Sequence, residues 1–362
     1  MKRFFLLFLL CLFLSACVEK EILDDLNIEG AIGYDLTDDK KILGTAIYSS
    51  FQSDKTIKNV TLSTQATASR DIMSDLELQS FQPLVKGSLE VVVISKDLSK
   101  NGIFHIADHL QRDASIGSRI FLAICDGKAQ ELLSGEYGHK GNAIYISKLI
   151  EHNIQIRDVP DSNLHVFLFD YFQKGKSPYI PIIKQTSPEN VQISGLGLFK
   201  DDKYIDRIDS DQMFFFKLLV DKYSEGSYTL KLKGDGELSG FPEEASIHSI
   251  HSKNKISFPS KNNPIEVKID ITLDGFIREF TGDKLSQAKI KEIEKQMKED
   301  IEKNSNDLIA RFLELKIDPI GIGHRLKTKK RGFDFKKWDE DYPNIKVTIV
   351  PHVKILESGT IE

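Results

Sequence analysis

The side chain with the clearest chemistry is the Cys17 thiol, which closes the run Leu14-Ser15-Ala16-Cys17. Lys2 and Arg3 precede an apolar stretch over residues 4–14, the charge pattern of a secretory signal whose basic end stays on the cytoplasmic side. That stretch is far shorter than the roughly 20 helical residues that cross a bilayer core. Two small residues ahead of a cysteine match a bacterial lipobox, in which the thiol takes up diacylglycerol and the chain is cut before it. The expectation is a signal over residues 1–16 and a mature chain that begins at Cys17, the lipid attachment site, outside the membrane. Cys11 leaves with the signal, so Cys125 is the one thiol left and no internal disulfide can form. Within Phe121-Leu122-Ala123-Ile124-Cys125 it reads as a small buried strand residue.

The other candidates are weaker. His105 and His109 stand four apart, which puts both on one helix face. No Glu follows His105 and no third ligand is identifiable, so two surface or half-buried histidines are expected. His248 and His251 fall in a loop-like segment rich in Ser and Lys. Trp338-Asp339-Glu340-Asp341 lacks the regular spacing of a calcium loop and reads as a solvated turn. The basic run over residues 327–331 reads as a solvated loop, with anionic lipid headgroups as its alternative contact. Gly321-Ile322-Gly323 lacks the Gly-Lys-Ser/Thr ending of a phosphate loop, and no Gly-x-Ser-x-Gly elbow occurs. Arg112 would suit a helix C-terminus, a buried ion pair or a partner contact equally. No catalytic residue, metal site or cofactor is expected. With 49 Lys and Arg against 54 Asp and Glu, the balance gives no reason to expect nucleic acid as a partner.

The elements that must carry these residues follow from periodicity. The 40% hydrophobic and 28% charged residues are ordinary for globular domains, and 362 residues allow two or three of them. Strands are expected over 42–49, 60–66, 89–94 and 119–124, with helices over 103–111, 128–133, 143–152 and 164–171. The consecutive β-branched residues at 91–94 point to a strand covered on both faces. Pro178, Pro181 and Pro188 make residues 174–190 look like a domain junction. Beyond it, Ile265, Val267, Ile269, Ile271 and Leu273 alternate with polar residues, as in a strand buried on one face. Ile290, Ile293, Met297, Ile301, Leu308, Phe312 and Leu315 line one face of a long helix over 285–315, with Glu294–Lys298 and Glu299–Lys303 pairs outside. Pro351 in the closing strand points to an edge position or a bulge. The expected fold is α+β to mixed α/β and multidomain: mixed sheets with packed helices, then a C-terminal domain of mainly antiparallel sheet plus one long helix. The expected divisions are 17–30, a lipid-anchored lead-in; 31–78, a first subdomain; 79–190, a second α/β domain; and 191–362, the C-terminal domain.

Four patches carry a resemblance to a known family. They are the cysteine-led start with Glu21-Ile22, Leu26 and Gly33-Tyr34-Asp35; Ser80-Phe81 through 89–94 to Arg112 and on to Gly127-Lys128-Ala129-Gln130-Glu131-Leu132-Leu133; Ile193-Ser194-Gly195-Leu196-Gly197-Leu198-Phe199-Lys200-Asp201-Asp202-Lys203; and Asp318-Pro319-Ile320-Gly321-Ile322-Gly323 with Trp338 and the closing 347–359 strand. In this order, over about the whole chain, they resemble the Ger(x)C family, the lipoprotein C subunits of spore nutrient germinant receptors. Val18-Glu19 stand where the family usually has Trp-Asp, and Gly197 where it usually has Ala. The resemblance implies three mixed α/β domains and an acylated, palmitate-bearing lipoprotein on the outer face of the inner spore membrane. It also implies no enzymatic activity and two integral membrane partners, an A-type subunit and a transporter-like B-type subunit that binds germinant. No direct small-molecule ligand is then expected for this chain. The competing reading is a lipid-anchored solute-binding protein that delivers a small nutrient, which needs two similar lobes around a cleft. A surface hydrolase would need a nucleophile or metal set that the sequence does not display.

Overall fold

The computed structural model describes residues 27–51, 57–232, 243–261, 264–282 and 284–356, so Cys17 and the expected signal over residues 1–16 lie outside the described residues. The first strands are β1 (Asn27–Leu36), β2 (Ile42–Phe51), β3 (Ile57–Ala66), β4 (Leu84–Val85), β5 (Val91–Ser95) and β6 (Phe121–Cys125); β7 (Tyr179–Ser187), β8 (Asn190–Lys200) and β9 (Lys203–Asp209) follow. They form one mixed sheet in the order β3-β2-β1-β5-β6-β7-β8-β9, with β4 beside the start of β1. Its centre, β1-β5-β6-β7, is parallel and both flanks are antiparallel.

Both faces of that centre are covered, which is why β5 reads as an unbroken apolar run. Val92 and Ile94 point to a core shared with α1 (Ser69–Glu77), α2 (Lys96–Asn101), α3 (Phe104–Arg112) and α6 (Leu164–Phe172). Val91 and Val93 point the other way, onto α4 (Ala129–Leu133) and α5 (Asn142–Ile156). The result is a three-layer arrangement, with Cys125 buried on the second face.

A second sheet has the order β10 (Ser227–Lys231), β11 (Glu244–Ser260), β12 (Glu266–Phe280), β13 (Lys346–Leu356). Its pairs are antiparallel except β12–β13, and β13 stands at the edge, where Pro351 opposes Ile271. Val267, Ile269, Ile271 and Leu273 are buried in one core with the apolar face of the long helix α8 (Gln287–Leu315). Glu294 does not serve as an outward pairing residue, because its Oε1 accepts the Ile355 N–H at 2.8 Å and ties α8 to the end of β13.

Several expectations need correction. Residues 27–30 belong to β1 rather than to a lead-in. Most of the proline-bearing stretch is strand β7, interior to the first sheet, with Pro181 inside it and Pro178 and Pro188 just beyond its ends: Ile180, Ile182 and Ile183 are buried, and the β6 ladder starts only at Ile182, one residue past Pro181. The first sheet therefore runs without a break across 78/79 and 190/191 and ends at Asp209.

Its core continues too. Helix α7 (Met213–Val220) is buried over all but its last residue and lies between the two sheets. Phe216 meets Tyr179 of β7 edge-on at 5.2 Å and Phe312 of α8 at 5.9 Å. Beside it Arg311 of α8 grips Asp206 of β9 with two contacts of 2.6 Å. Phe216→Ala should lower stability by about 3–5 kcal/mol, read as a shift in urea midpoint with both halves still unfolding together. Loss of the C-terminal sheet alone would place the join elsewhere.

Candidate functional site

A helix start leaves its first N–H groups without intrahelical partners. Neither Ile103 before α3 nor Lys128 before α4 offers a capping side chain. Distant aspartates supply what is missing. Asp35, at the end of β1, accepts the Ala129 and Gln130 N–H groups at 2.8 and 2.9 Å. Asp202, in the β8–β9 turn, accepts the Phe104 N–H through its carboxylate and the Ile103 N–H through its carbonyl, both at 3.0 Å. Burial raises the Asp35 carboxyl against the pull of its N–H donors.

A third aspartate organises the seam between the halves. Asp318 accepts N–H groups from Gly321 at 2.8 Å, Ile322 at 3.0 Å and Gly323 at 2.7 Å, at the start of α9 (Ile322–Lys329). Its burial pushes the carboxyl up to about 6 although all three donors act to lower it. The same residue clamps the segment after α6: the Ser177 N–H donates to the Asp318 carbonyl at 2.9 Å, and the Asp318 N–H to Ser177 Oγ at 3.0 Å. One step along, the His324 N–H donates to the Gly175 carbonyl at 3.0 Å. Gly175 has φ +77°, and a Cβ there would come within 2.8 Å of the Gly323 backbone, so the two segments touch because neither glycine carries a side chain.

Around this clamp, Asp170 of α6 is buried and paired with Lys176 at 2.6 Å. Burial raises its carboxyl to about 6, with Lys176 opposing. Helix α10 (Phe335–Asp341) closes the other side, with Trp338 buried against Gly323 and the Tyr342 hydroxyl donating to the Ile317 carbonyl at 2.6 Å. Between these segments lies a cleft of about 510 Å³, whose lining includes Lys174, Lys176, Lys200, Lys316 and Lys336. Asp318, on the cleft wall, and Asp170, which pairs with the lining Lys176, are both engaged in holding the seam, so the arrangement is a scaffold rather than an acid–base pair.

The sequence-derived candidates are dispersed. His105 is exposed and His109 half-buried on α3, and among the described residues no group of three His, Cys, Asp or Glu could hold a metal ion. His248 and His251 are not in a loop but in β11, on either side of a bulge at which Ser249 has φ +48°. Residues 339–341 belong to helix α10 rather than to a solvated turn. The basic run is the last turn of α9 and its exit, and Lys330 Nζ donates to the Lys261 carbonyl at 2.7 Å. Arg112 is exposed and paired within its own helix to Asp108 at 2.8 Å, which rules out a buried ion pair. Gly195 is a packing requirement, since a Cβ there would come within 2.3 Å of the Ile208 carbonyl oxygen. Burial pushes the Cys125 thiol up to about 12, so it stays protonated.

Sequence reasoning missed Glu29. It is fully buried on β1, and neither carboxyl oxygen has a hydrogen-bond partner. Burial pushes its pKa up to about 7; Lys86 opposes this, while Glu77 and Asp113 add to it. Lys86 Nζ is itself held by Asp113 at 2.8 Å. The available signal was the inward alternation Asn27, Glu29, Ala31. The Asp318 cap was also readable, as Asp ahead of Gly-Ile-Gly at a helix start.

Comparison with known proteins divides the chain between β7 and β8, inside the first sheet. A family profile described as "Spore germination protein N-terminal domain" matches residues 19–185. A second, "Spore germination B3/ GerAC like, C-terminal", matches residues 194–359. The chain therefore belongs to the Ger(x)C family of spore germination proteins. It is similar to "Spore germination protein GerQC" of Bacillus cereus, with 30% identity over 365 residues and all of both chains covered. "Putative spore germination protein YfkR" of Bacillus subtilis (strain 168) is 22% identical, over 83% of this chain and 79% of that one. The solved GerBC protein shares the fold, with a TM-score of 0.56 at 16% identity over 90% of this chain and 96% of that one.

Two outcomes are expected. Asp318→Ala strands three buried N–H donors and should cost on the order of 3 kcal/mol in chemical denaturation. Glu29, whose pKa rises from 4.5 to about 7 on folding, favours the native state most below pH 4.5, and this contribution is lost as pH rises through 7. Glu29→Gln should therefore match the parent at pH 4 to 5 and exceed it at pH 8 by about 3 kcal/mol, at about 1.4 kcal/mol per pKa unit. Equal stabilities at pH 8 would mean that the Glu29 carboxylate has a partner in solution.

Proposed function

We propose that this chain is the lipid-anchored, non-catalytic C subunit of a nutrient germinant receptor. It is held by diacylglycerol on Cys17 at the outer face of the inner spore membrane. There it assembles with two integral membrane subunits, one A-type and one transporter-like B-type, to trigger germination. The observation that carries this reading is the pair of germination-family profiles spanning residues 19–359 with one short gap.

The structure supplies supporting detail. No helix among the described residues is long and apolar enough to cross a membrane, which makes the Cys17 anchor the natural means of attachment. Buried Asp35 and Asp318 serve a cap and a seam, as suits a subunit that works by contact. Exposed aromatics on α6, Phe169 and Phe172, border a groove of about 280 Å³ against α3 and offer a face to a partner. The solute-binding alternative is disfavoured because the two sheets differ in strand number, layering and direction, so they do not form like lobes.

Cys17→Ala should release the chain from spore membranes and impair nutrient-triggered germination. Gentle solubilisation of inner membranes and pull-down of the parent chain should bring two stoichiometric membrane proteins, one transporter-like. A chain recovered alone with a bound small molecule would favour solute delivery instead.

A further inference from the structure

The two most exposed large apolar side chains among the described residues are three positions apart. Leu78 is 87% and Phe81 81% exposed, and the next most exposed, Phe172, is 57%. They sit on the turn between α1 and β4. From residue 78 to residue 85 the sequence is Leu-Gln-Ser-Phe-Gln-Pro-Leu-Val, eight residues without a charge in a chain that is 28% charged. Glu77 and Lys86 close this stretch on either side.

The turn satisfies its own backbone. The Leu78, Gln79 and Ser80 N–H groups donate to the Ser74, Leu76 and Glu77 carbonyls, and Ser80 Oγ donates to the Gln82 carbonyl at 2.5 Å. Residue 83 is a proline and has no N–H to lose. A turn of this kind can leave water with few donors stranded, which lowers the main cost of placing backbone in an apolar medium.

The turn also lies where the chain enters the fold. The Asn27 N–H donates to the Pro83 carbonyl at 3.0 Å and the Asn27 amide to Ser80 Oγ at 2.9 Å, while Asn27 and Ile28 pair with Leu84 and Val85. Asn27 stands ten positions after Cys17, a reach of at most about 35 Å when fully extended. The uncharged turn is thus fastened to the strand end from which the tether leaves.

We propose that the 78–81 turn is a second membrane contact, with Leu78 and Phe81 inserted at the headgroup–acyl boundary of the bilayer to which Cys17 tethers the chain. This rests on the anchor proposed above and adds orientation to it. A lipid on a ten-residue leash lets the body tumble, whereas a second contact beside Asn27 holds one end of the first sheet toward the bilayer. The parallel centre of the sheet would then present a constant aspect to membrane-embedded partners.

The test uses the full lipidated protein in vesicles of phosphatidylethanolamine and phosphatidylglycerol, with an environment-sensitive fluorophore on Gln79→Cys or, as control, on Ser224→Cys. Cys125 is buried and does not compete for label. The label at 79 should be shielded several-fold from aqueous iodide and quenched by lipid-borne nitroxide, while the label at 224 stays open to iodide. Adding Leu78→Ser and Phe81→Ser should abolish the shielding at 79 without releasing the chain from the vesicles. Equal iodide access at both positions on a chain that still floats with vesicles would overturn the proposal and leave the anchor standing. Shielding that appears only when integral membrane subunits are present would overturn it in favour of a protein contact. A chain that fails to float would remove the anchor and this contact together.

Discussion

The arrangement depends on where the N–H groups of buried helix starts find acceptors. A helix packed on a sheet with its first turn buried must have those donors met or lose free energy comparable to a hydrogen bond for each. In this chain the helices on opposite faces of the first sheet solve the problem from the sheet itself. Asp35 leaves the end of β1 to cap α4 on one face, and Asp202 leaves the β8–β9 turn to cap α3 on the other. Each carboxylate thereby sets the position of a helix against a strand nearly a hundred residues away in sequence. Local capping serves four other helices, through Ser95, Asn163, Ser286 and Asp334 at the starts of α2, α6, α8 and α10.

The same requirement joins the two halves. Asp318 caps α9 while its backbone clamps Ser177, so the start of a helix in one half is also an attachment to the other. At the opposite polarity, the buried Lys217 of α7 donates to the Ile154 and Arg157 carbonyls at the end of α5, both at 2.7 Å. A cation there meets unpaired carbonyls and the negative end of the helix dipole together. Phe216, its neighbour, fills the apolar side of the join. Polar and apolar contacts thus coincide at one seam, and bending there would have to break a capped helix start, a capped helix end and a packed aromatic at once. Such a seam favours a body that moves as a unit.

How much of this was legible in the sequence depended on the distance over which each signal acts. The alternation in β12, the seven-residue spacing of α8 and the β-branched run of β5 are local, and each element appears where its pattern placed it. The prolines in and beside β7 misled because backbone propensity was read without the cover supplied by two neighbouring strands; Ile180, Ile182 and Ile183 outweigh the one N–H missing at Pro181. His248 and His251 looked loop-like because β11 carries a bulge and a polar outer face. The partners of Asp35 and Asp202 lie some 95 residues away, and no spacing rule reaches that far. Glu29 was hidden because residues 17–30 were read as a lead-in, whereas β1 already starts at Asn27.

Several residues that carry the family resemblance are ones on which backbone geometry makes specific demands. Asp35 in the first patch, residues 129–130 in the second, Asp202 and Gly195 in the third, and Asp318 with Gly323 in the fourth are caps, capped donors or close approaches. Elsewhere the fold asks only for apolar residues of suitable size in alternation, which many sequences satisfy. This is how the GerBC structure can share the fold over nine-tenths of this chain at 16% identity. It also separates two kinds of information. Apart from exposed positions such as Phe81 and Arg112, the recognisable patches report how the chain folds and leave little side-chain surface for a partner. Contacts that distinguish one family member from another must then fall on positions the fold leaves free, such as the exposed aromatics of α6.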